Sequence, residues 1–263
     1  MKRRDFLKSG FAVGLVSLGG LFAYGGLNAF NATAEAKHSD ETLNTGRWGL
    51  VVDIEKFNAS TDFASIVAAC HKSHNVPSID DPKTEVKWIW QDDFEHCFPE
   101  MTSDYLSERV AELRVPVLCN HCEDPACVKV CPTQATFQRP DGIVDMDYHR
   151  CIGCRFCMTA CPYNARSLNF CDPRLYIDDV DFEYPTRTKG VVEKCTFCVE
   201  RLTKGLSPLC AEESNGAIIF GDLDDPASAV RKALETGFSI RRRSELGTGP
   251  SVYYLFRGGT PDA

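Results

Sequence analysis

Apolar and polar residues alternate along several short stretches of the chain, and this period of two predicts β-strands. The predicted strands cover 48–57, 142–147, 238–240 and 251–256. Two helices are predicted, one over 61–70 with Ser60 or Thr61 as its cap, and one over 227–234 after Pro226. Short elements of both kinds, separated by long loops, predict the α+β fold class.

The first 36 residues have a different pattern, with a basic start, an uncharged middle and small residues at the end. Arg3 and Arg4 are followed by Phe6-Leu7-Lys8, and the uncharged run extends over 9–34. This order is typical of a secretory signal, and the adjacent arginines resemble the twin-arginine export signal. We therefore expect residues 1–36 to direct export to the periplasm or the outer face of the cytoplasmic membrane. A plain secretory signal and a retained membrane anchor are the alternatives.

The composition is that of a folded protein rather than of a disordered or collagen-like one. Hydrophobic residues make up 43% of the 263 residues, and charged residues make up 25%. The 29 basic and 37 acidic residues give a formal net charge of −8. This balance argues against nucleic acid as a partner, because phosphate contacts need clustered positive charge. Beyond the first 36 residues, we expect no membrane-spanning segment.

The unusual feature of the composition is its 14 cysteines. Two runs of four are complete: Cys119-x2-Cys122-x4-Cys127-x3-Cys131-Pro132 and Cys151-x2-Cys154-x2-Cys157-x3-Cys161-Pro162. The second run matches the bacterial ferredoxin pattern, in which three thiolates of one loop bind a [4Fe–4S] cluster and the fourth cysteine reaches the other cluster. Two ligand sets follow: Cys119, Cys122, Cys127 and Cys161 for cluster 1, and Cys151, Cys154, Cys157 and Cys131 for cluster 2.

A third cysteine run lacks its fourth cysteine, and an isolated cysteine upstream lacks the three ligands that would precede it. The run has serine where a fourth cysteine would stand: Cys195, Cys198, Cys210 and Ser214. Upstream, Cys70 stands alone, and the three positions that would hold ligands before it are Ser60, Phe63 and Ile66. Ligand exchange of the ferredoxin kind predicts that the three cysteines of the run and Cys70 bind cluster 3. The reciprocal cluster lacks all four ligands, so the prediction is three [4Fe–4S] clusters.

Other uses of cysteine explain the two complete runs less well. Zinc suits a C-x2-C pair, and disulfides suit an exported protein, but neither predicts two runs that each end in Cys-Pro. A thioredoxin-type C-x-x-C stands alone, and no C-x-x-C-H haem motif occurs in the sequence. Cys97 and Cys171 are left over, either as a disulfide or as buried free thiols.

Several segments around these cysteines resemble the four-cluster ferredoxin subunits of the dimethyl sulfoxide reductase and nitrite-reduction type. They are Leu118–Cys127, Cys131–Thr136, Asp141–Val144, Cys151–Cys157, Ala160–Arg166, Lys194–Cys198, Lys204–Gly205, Phe220–Pro226 and Trp48–Asp53. The resemblance extends over about residues 47–257 and implies two fused bacterial-ferredoxin-like units. One is a two-cluster unit over 115–175, and the other is a degenerate unit with one cluster over 46–114 and 176–260.

The resemblance implies an electron-transfer subunit that has no small-molecule substrate and is not itself an enzyme. Its implied partners are a polytopic quinone-interacting membrane subunit and a multihaem cytochrome c. The export signal and the lost cluster are most similar to the periplasmic iron–sulfur subunits (the O component) of sulfite-reduction-associated DsrMKJOP complexes. The alternatives are a subunit of another molybdoenzyme or nitrite-reduction complex, and an exported oxidoreductase with its own active site. For the last, the sequence contains no G-x-G-x-x-G motif.

The remaining segments and histidines carry narrower expectations. Residues 87–114, rich in aromatic and acidic groups, are either a partner surface or a packed cap over the cluster core. His121 is expected to hydrogen-bond within its loop rather than bind iron. His71 and His74 are expected at the surface.

Three side chains near the second cysteine run are candidates for contact with a cluster. Arg155 and Arg166 would favour the more negative, reduced state of a nearby cluster, or serve only solubility. Tyr163 is expected to pack on a cluster, because apolar cover sets solvent access and potential.

Overall fold

The main sheet joins strands from opposite ends of the described chain. The structure is a computed structural model that describes residues 46–257, so the predicted export segment 1–36 lies outside the described residues. The strands are β1 Trp48–Asp53, β2 Ile89–Asp93, β3 Arg114–Leu118, β4 Thr136–Gln138, β5 Val144–Met146, β6 Ser167–Leu168, β7 Val192–Glu193, β8 Ile218–Asp222, β9 Phe238–Ile240 and β10 Val252–Phe256.

The helices between these strands are short, and most have a single turn. They are α1 Ile54–Ser60, α2 Phe63–Ser73, α3 Phe94–Cys97, α4 Glu108–Ala111, α5 Ala126–Lys129, α6 Phe156–Thr159, α7 Val199–Leu202, α8 Leu209–Glu212 and α9 Ala229–Leu234. Three 3₁₀ turns cover Pro99–Met101, Pro173–Tyr176 and Ser244–Leu246. The described chain is therefore a mixed α and β fold, as predicted, in which loops carry much of the sequence.

The four-stranded sheet has the order β8-β1-β10-β9, with β1 in its interior. β1 runs parallel to β10, where Leu50 pairs with Val252, and antiparallel to β8, where Leu50 pairs with Phe220. Both faces of β1 are covered: Leu50 faces the main core, and Val51 packs with Val230 of α9 in a smaller cluster. A strand buried on both faces explains why its apolar run is nearly continuous.

Three two-stranded ladders complete the sheet structure. β2 pairs antiparallel with β3, β4 with β5, and β6 with β7. The ladders β4–β5 and β6–β7 begin a few residues after Cys131 and Cys161, at matching distances from the ends of the two complete cysteine runs. The two runs therefore lead into similar local structures.

Several predicted boundaries move because aspartates cap the helices. The strand predicted over 48–57 ends at Asp53, whose carboxylate accepts a hydrogen bond from Lys56 N–H and begins α1. The cap of α2 is Asp62, which accepts from Ala64 N–H, rather than Ser60 or Thr61. Near the carboxyl end, the helix predicted over 227–234 begins at Ala229, because Ser228 caps it.

The largest core cluster crosses the predicted unit boundaries. It includes Leu50 and Ile66 from the first segment, Val117 and Tyr163 from the central segment, and Tyr254 from the last. The division into two ferredoxin-like units stays a prediction. Within residues 46–257, none of the helices has the length and hydropathy of a bilayer-crossing segment.

Candidate metal centres

Cavity 1 lies at the centre of the cysteine-rich region and encloses about 350 Å³. Four cysteines line it: Cys119, Cys122, Cys127 and Cys161. The first two follow β3, the third lies in α5, and the fourth comes from the end of the second run. Tyr163 and Arg166 also line this cavity.

Cavity 2 encloses about 290 Å³. It is related to cavity 1 by exchange, because each cavity contains the last cysteine of the other cavity's run. Its cysteines are Cys131, Cys151, Cys154 and Cys157. Cys131 comes from the end of the first run, and Cys157 lies in α6. Met146 of β5 and Val192 of β7 provide apolar walls.

Cavity 3 encloses about 310 Å³ and joins distant parts of the chain. Its cysteines are Cys70, Cys195, Cys198 and Cys210. α2 carries Cys70, and α8 carries Cys210. Trp88 and Leu118 form part of its wall, so the segment 87–114 contributes to the enclosure.

The first C-x2-C pair of each of the three cysteine runs has the same unusual backbone conformation. The residue before the second cysteine of that pair has a positive φ: His121 at 39°, Gly153 at 67° and Phe197 at 56°. For the two non-glycine residues this conformation costs about 1–2 kcal/mol each. Gly153 is required by space as well, since a Cβ there would lie 2.3 Å from the carbonyl oxygen of Gly190. Such turns direct successive N–H groups inward and form anion-binding nests, as in many iron–sulfur sites.

The electrostatics of the free thiols differ between the cavities. Burial, followed by the neighbouring Cys119, raises the pKa of Cys122 to about 12, and burial raises the pKa of Cys210 to about 12. Cys131 is the exception, because N–H groups of the chain after it, that of Thr136 foremost, outweigh burial and lower its pKa. Thiols whose pKa burial raises in this way, such as Cys122 and Cys210, keep their protons until a metal replaces them.

The spacing of the sulfurs distinguishes a cluster from a single zinc ion. Four thiolates on one zinc, with Zn–S bonds of about 2.3 Å, lie about 3.8 Å apart. Among residues 46–257, no three of the cavity cysteines bring their sulfur atoms within 4.8 Å of one another. All-sulfur donor sets at wider spacing fit an iron–sulfur cluster in each cavity.

Of the three histidine expectations, that for His121 agrees with the structure and that for His74 is wrong, while His71 is half-buried. Nδ1 of His121 accepts a hydrogen bond from Val144 N–H at 3.1 Å, as a loop role requires. His74 was expected at the surface but is fully buried, with its ring tilted against Trp88 and edge-on to Tyr184 and its Nε2 3.0 Å from a carboxylate oxygen of Glu200. The last turn of α2 packs against these aromatic rings, which a single helix pattern does not reveal.

The two arginines proposed to tune cluster 2 lie at different cavities. Arg166 is buried at cavity 1, where it donates to Cys127 Sγ at 3.0 Å. Tyr163, expected to pack on a cluster, also lines cavity 1, with its hydroxyl hydrogen-bonded to Thr248. Only Arg155 lines cavity 2, and its side chain is exposed.

Ser214 and Ile66, two of the positions that lack a ligand cysteine, are buried in the interior of the protein. Ser214 is buried, and its hydroxyl accepts a hydrogen bond from Ile218 N–H at 2.9 Å. Thr61, the residue after the altered position Ser60, donates to the Ser214 carbonyl at 3.4 Å. Ile66 is fully buried in the main core with Phe57, and Phe63 packs against that core. Three of the four altered positions are therefore packed in the interior, and the fourth, Ser60, is exposed.

Segment 87–114 is largely packed against the body of the protein. Trp88 and Phe94 are buried, while Asp93 pairs with Arg114 at the surface. Cys97 is also buried, Cys171 is half-buried, and the described residues, which include all 14 cysteines, contain no disulfide.

The sequence patterns missed two buried polar groups. Lys194 is fully buried and donates to the carbonyl oxygens of Val144 and Cys195. Arg187 and Glu193 form a fully buried ion pair, and Glu193 also accepts from Trp88 Nε1 at 2.8 Å. A lysine directly before a C-x2-C pair was the only local signal for the first group.

These thiol-lined cavities define an iron–sulfur protein of the ferredoxin type. A family model described as a 4Fe-4S dicluster domain matches residues 110–172. The Hdr-like menaquinol oxidoreductase iron–sulfur subunit 1 of Archaeoglobus fulgidus is 41% identical over 241 residues, covering 84% of this chain and 87% of the relative.

Two further relatives point the same way. The iron–sulfur cluster-binding subunit of menaquinone reductase from Nitratidesulfovibrio vulgaris is 35% identical over 240 residues, covering 80% of this chain and 89% of the relative. A putative dimethyl sulfoxide reductase iron–sulfur subunit of Halobacterium salinarum is 49% identical over 141 residues, covering 53% of this chain and 54% of the relative. The chain belongs to this family of iron–sulfur electron-transfer subunits of oxidoreductase complexes.

Proposed function

We propose that the chain binds three [4Fe–4S] clusters, one in each cavity, through the twelve cysteines that line them. Cluster 1 would use the cysteines of cavity 1, cluster 2 those of cavity 2 and cluster 3 those of cavity 3. The exchange of the fourth cysteines between the two runs supports this most directly. Cys161 ends the second run but lines cavity 1, and Cys131 ends the first run but lines cavity 2. Cys70 completes cavity 3 in the same manner from α2.

The proposed role is to relay electrons between two partners, without a substrate or catalytic residue of its own. Bound clusters exchange single electrons over a wide range of potentials. The protein's part is to hold them close together and to exclude water. Cavity walls such as Trp88, Leu118 and Val192 serve this purpose because apolar cover lowers solvent access.

The partners we propose are a polytopic quinone-interacting membrane subunit and a multihaem cytochrome c. The names of two relatives, a menaquinol oxidoreductase subunit and a menaquinone reductase subunit, support the first. The second partner, and membership in a DsrMKJOP-type complex as its O component, rest on the sequence resemblance and on the altered ligand positions around Ser214. Two fused ferredoxin-like units remain part of this proposal.

We also propose export through the twin-arginine route, on the pattern of Arg3 and Arg4 before the uncharged run. The clusters would then be inserted before export, because this route carries folded proteins. Replacing both arginines by lysine in the full chain is expected to leave the protein in the cytoplasm. Unchanged periplasmic accumulation of that variant would contradict this part of the proposal.

The decisive experiment is to measure iron and acid-labile sulfide on protein purified anaerobically. Three clusters predict about 12 iron atoms per chain. A value near eight would remove cluster 3 from the proposal, and zinc in place of iron would overturn it. Purification of the tagged chain from membranes then identifies its partners: haem c supports the proposed assembly, whereas molybdenum indicates a molybdoenzyme complex.

A further inference from the structure

The interior of the protein contains four cationic side chains that are almost completely buried. They are Arg166, Arg187, Lys194 and Arg242. Arg187 has a buried carboxylate partner in Glu193. A salt bridge needs a carboxylate oxygen within 4 Å of the cation. Within residues 46–257, the other three side chains have none at that distance. A buried charge without a counter-ion is costly, so something else must compensate these cations.

Lys194 lies between cavity 1 and cavity 3. Its Nζ donates to the carbonyl oxygen of Val144, which lines cavity 1. It also donates, at 2.7 Å, to the carbonyl oxygen of Cys195, which lines cavity 3. The ammonium therefore bridges the walls of two neighbouring cavities, with its side chain fully buried.

Arg166 occupies a similar position between cavity 1 and cavity 2. It donates to Cys127 Sγ in cavity 1 at 3.0 Å, and to the hydroxyl of Thr136, which lines cavity 2, at 3.1 Å. Burial opposes its charge, but the nearby Cys127, Cys119 and Cys157 raise its pKa overall. Arg242 differs, because its guanidinium lies 5.8 Å from the ring of Tyr163, which itself lines cavity 1.

Cavity 1 is the middle one of the three. Lys194 joins the wall of cavity 1 to that of cavity 3, and Arg166 joins Cys127 of cavity 1 to Thr136 at cavity 2, so cavity 1 adjoins both neighbours. Cavity 1 is thus the one that borders both Lys194 and Arg166.

We propose that Lys194 and Arg166 make the cluster in cavity 1 the most easily reduced of the three, so that it receives the first electron. The proposal rests on the proposed function. Reduction adds a negative charge to a cluster, and a buried cation nearby stabilises that charge more strongly than an exposed one. The middle cluster borders two such cations, whereas each outer cluster borders one. In return, the negative clusters are the counter-ions that both side chains lack.

The test is an anaerobic redox titration followed by EPR on the full iron-loaded protein. Lys194→Met removes the charge and is expected to make the midpoint potential of the cavity 1 cluster more negative. Lys194→Arg keeps the charge and should restore it. Arg155→Met serves as the control, because Arg155 is exposed at cavity 2 and water screens it. Full iron content with an unchanged midpoint in Lys194→Met would overturn the proposal.

A second measurement decides the matter if Lys194→Met fails to assemble. The first EPR signal to appear on reduction of the otherwise unaltered protein should persist in Cys154→Ser and Cys210→Ser, and vanish in Cys122→Ser. Loss of that first signal in either of the first two variants would instead place the first electron on an outer cluster and reject the proposal. The iron content distinguishes a failure of this proposal from a failure of the proposed function. The proposed function predicts about 12 iron atoms in the unaltered protein.

Discussion

The region of cavities 1 and 2 and the region of cavity 3 share the same kind of cysteine loop. They differ in whether the exchange of the fourth cysteine is mutual. In the first region, the two cysteine runs exchange their fourth cysteines, so that each completes the other's cavity. In the second, Cys70 completes cavity 3, but the return position is Ser214. Ile66, at one of the other positions without a ligand, packs in the main core with Phe57.

On the proposed ligand assignment, this difference concerns what the loss of a metal site requires of a fold. Missing ligands alone would leave a buried cavity and unpaired polar groups, and both are costly. Here the Ser214 hydroxyl satisfies the N–H of Ile218, and Ile66 belongs to the main core. Packing here supplies the contacts that, on the proposed assignment, a cluster supplies in the neighbouring region. Four substitutions test this contrast, from the largest expected effect to the smallest.

The largest effect is expected from Cys161→Ser, which removes a ligand of the middle cavity from a distance in sequence. Iron should fall by about four atoms per chain, and electron transfer through the subunit should stop, since the middle cluster connects the other two. Cys171→Ser is the matched control, because Cys171 lines none of the three cavities. Equal iron loss in both variants would refute the ligand assignment.

Cys70→Ala should have the next largest effect, confined to cavity 3. Iron should fall from about 12 to about eight atoms per chain. The EPR signals of the other two clusters should be kept, because cavities 1 and 2 do not use this residue. Retention of all the iron would show that α2 contributes packing rather than a ligand.

Ile66→Ala tests whether packing has replaced the missing cluster. Ile66 is fully buried, so its truncation is expected to lower the free energy of unfolding by about 2–5 kcal/mol. The iron content should remain unchanged, and thermal unfolding under anaerobic conditions measures the loss. Ala64→Gly on the exposed side of the same helix is the control, with an expected cost of about 1 kcal/mol. A loss for Ile66→Ala no larger than that of the control would mean that Ile66 contributes little packing.

Ser214→Cys should have the smallest effect, because it restores one ligand of four. The other three positions hold Ser60, Phe63 and Ile66, so no additional iron is expected. Stability should fall by about 1 kcal/mol, because a thiol is a poorer partner for Ile218 N–H than the hydroxyl is. Additional iron in this variant would show that the site is not closed by packing.

Much of the local structure could be predicted because its causes are local. The strand at 238–240 and the helix after Pro226 were found close to their observed bounds. The strand was predicted to continue past Asp53, and the cap of α2 was predicted at Ser60 or Thr61 instead of Asp62. Both errors arose because an aspartate cap involves only one or two residues, which the longer strand and serine-cap patterns obscured. His74 was misplaced because its burial depends on Trp88 and Tyr184, which come from elsewhere in the chain.

The sequence by itself predicted which cysteines share a cavity, because the spacing within each run is local and the ferredoxin pattern states which fourth cysteine is exchanged. Only the tertiary structure decided which buried charges lie between the cavities. Lys194 meets Val144 across 50 positions of sequence, and Arg166 meets Cys127 across 39. The physical reason is that a cation's influence depends on its distance and burial, and both are set by segments that meet only when the chain folds.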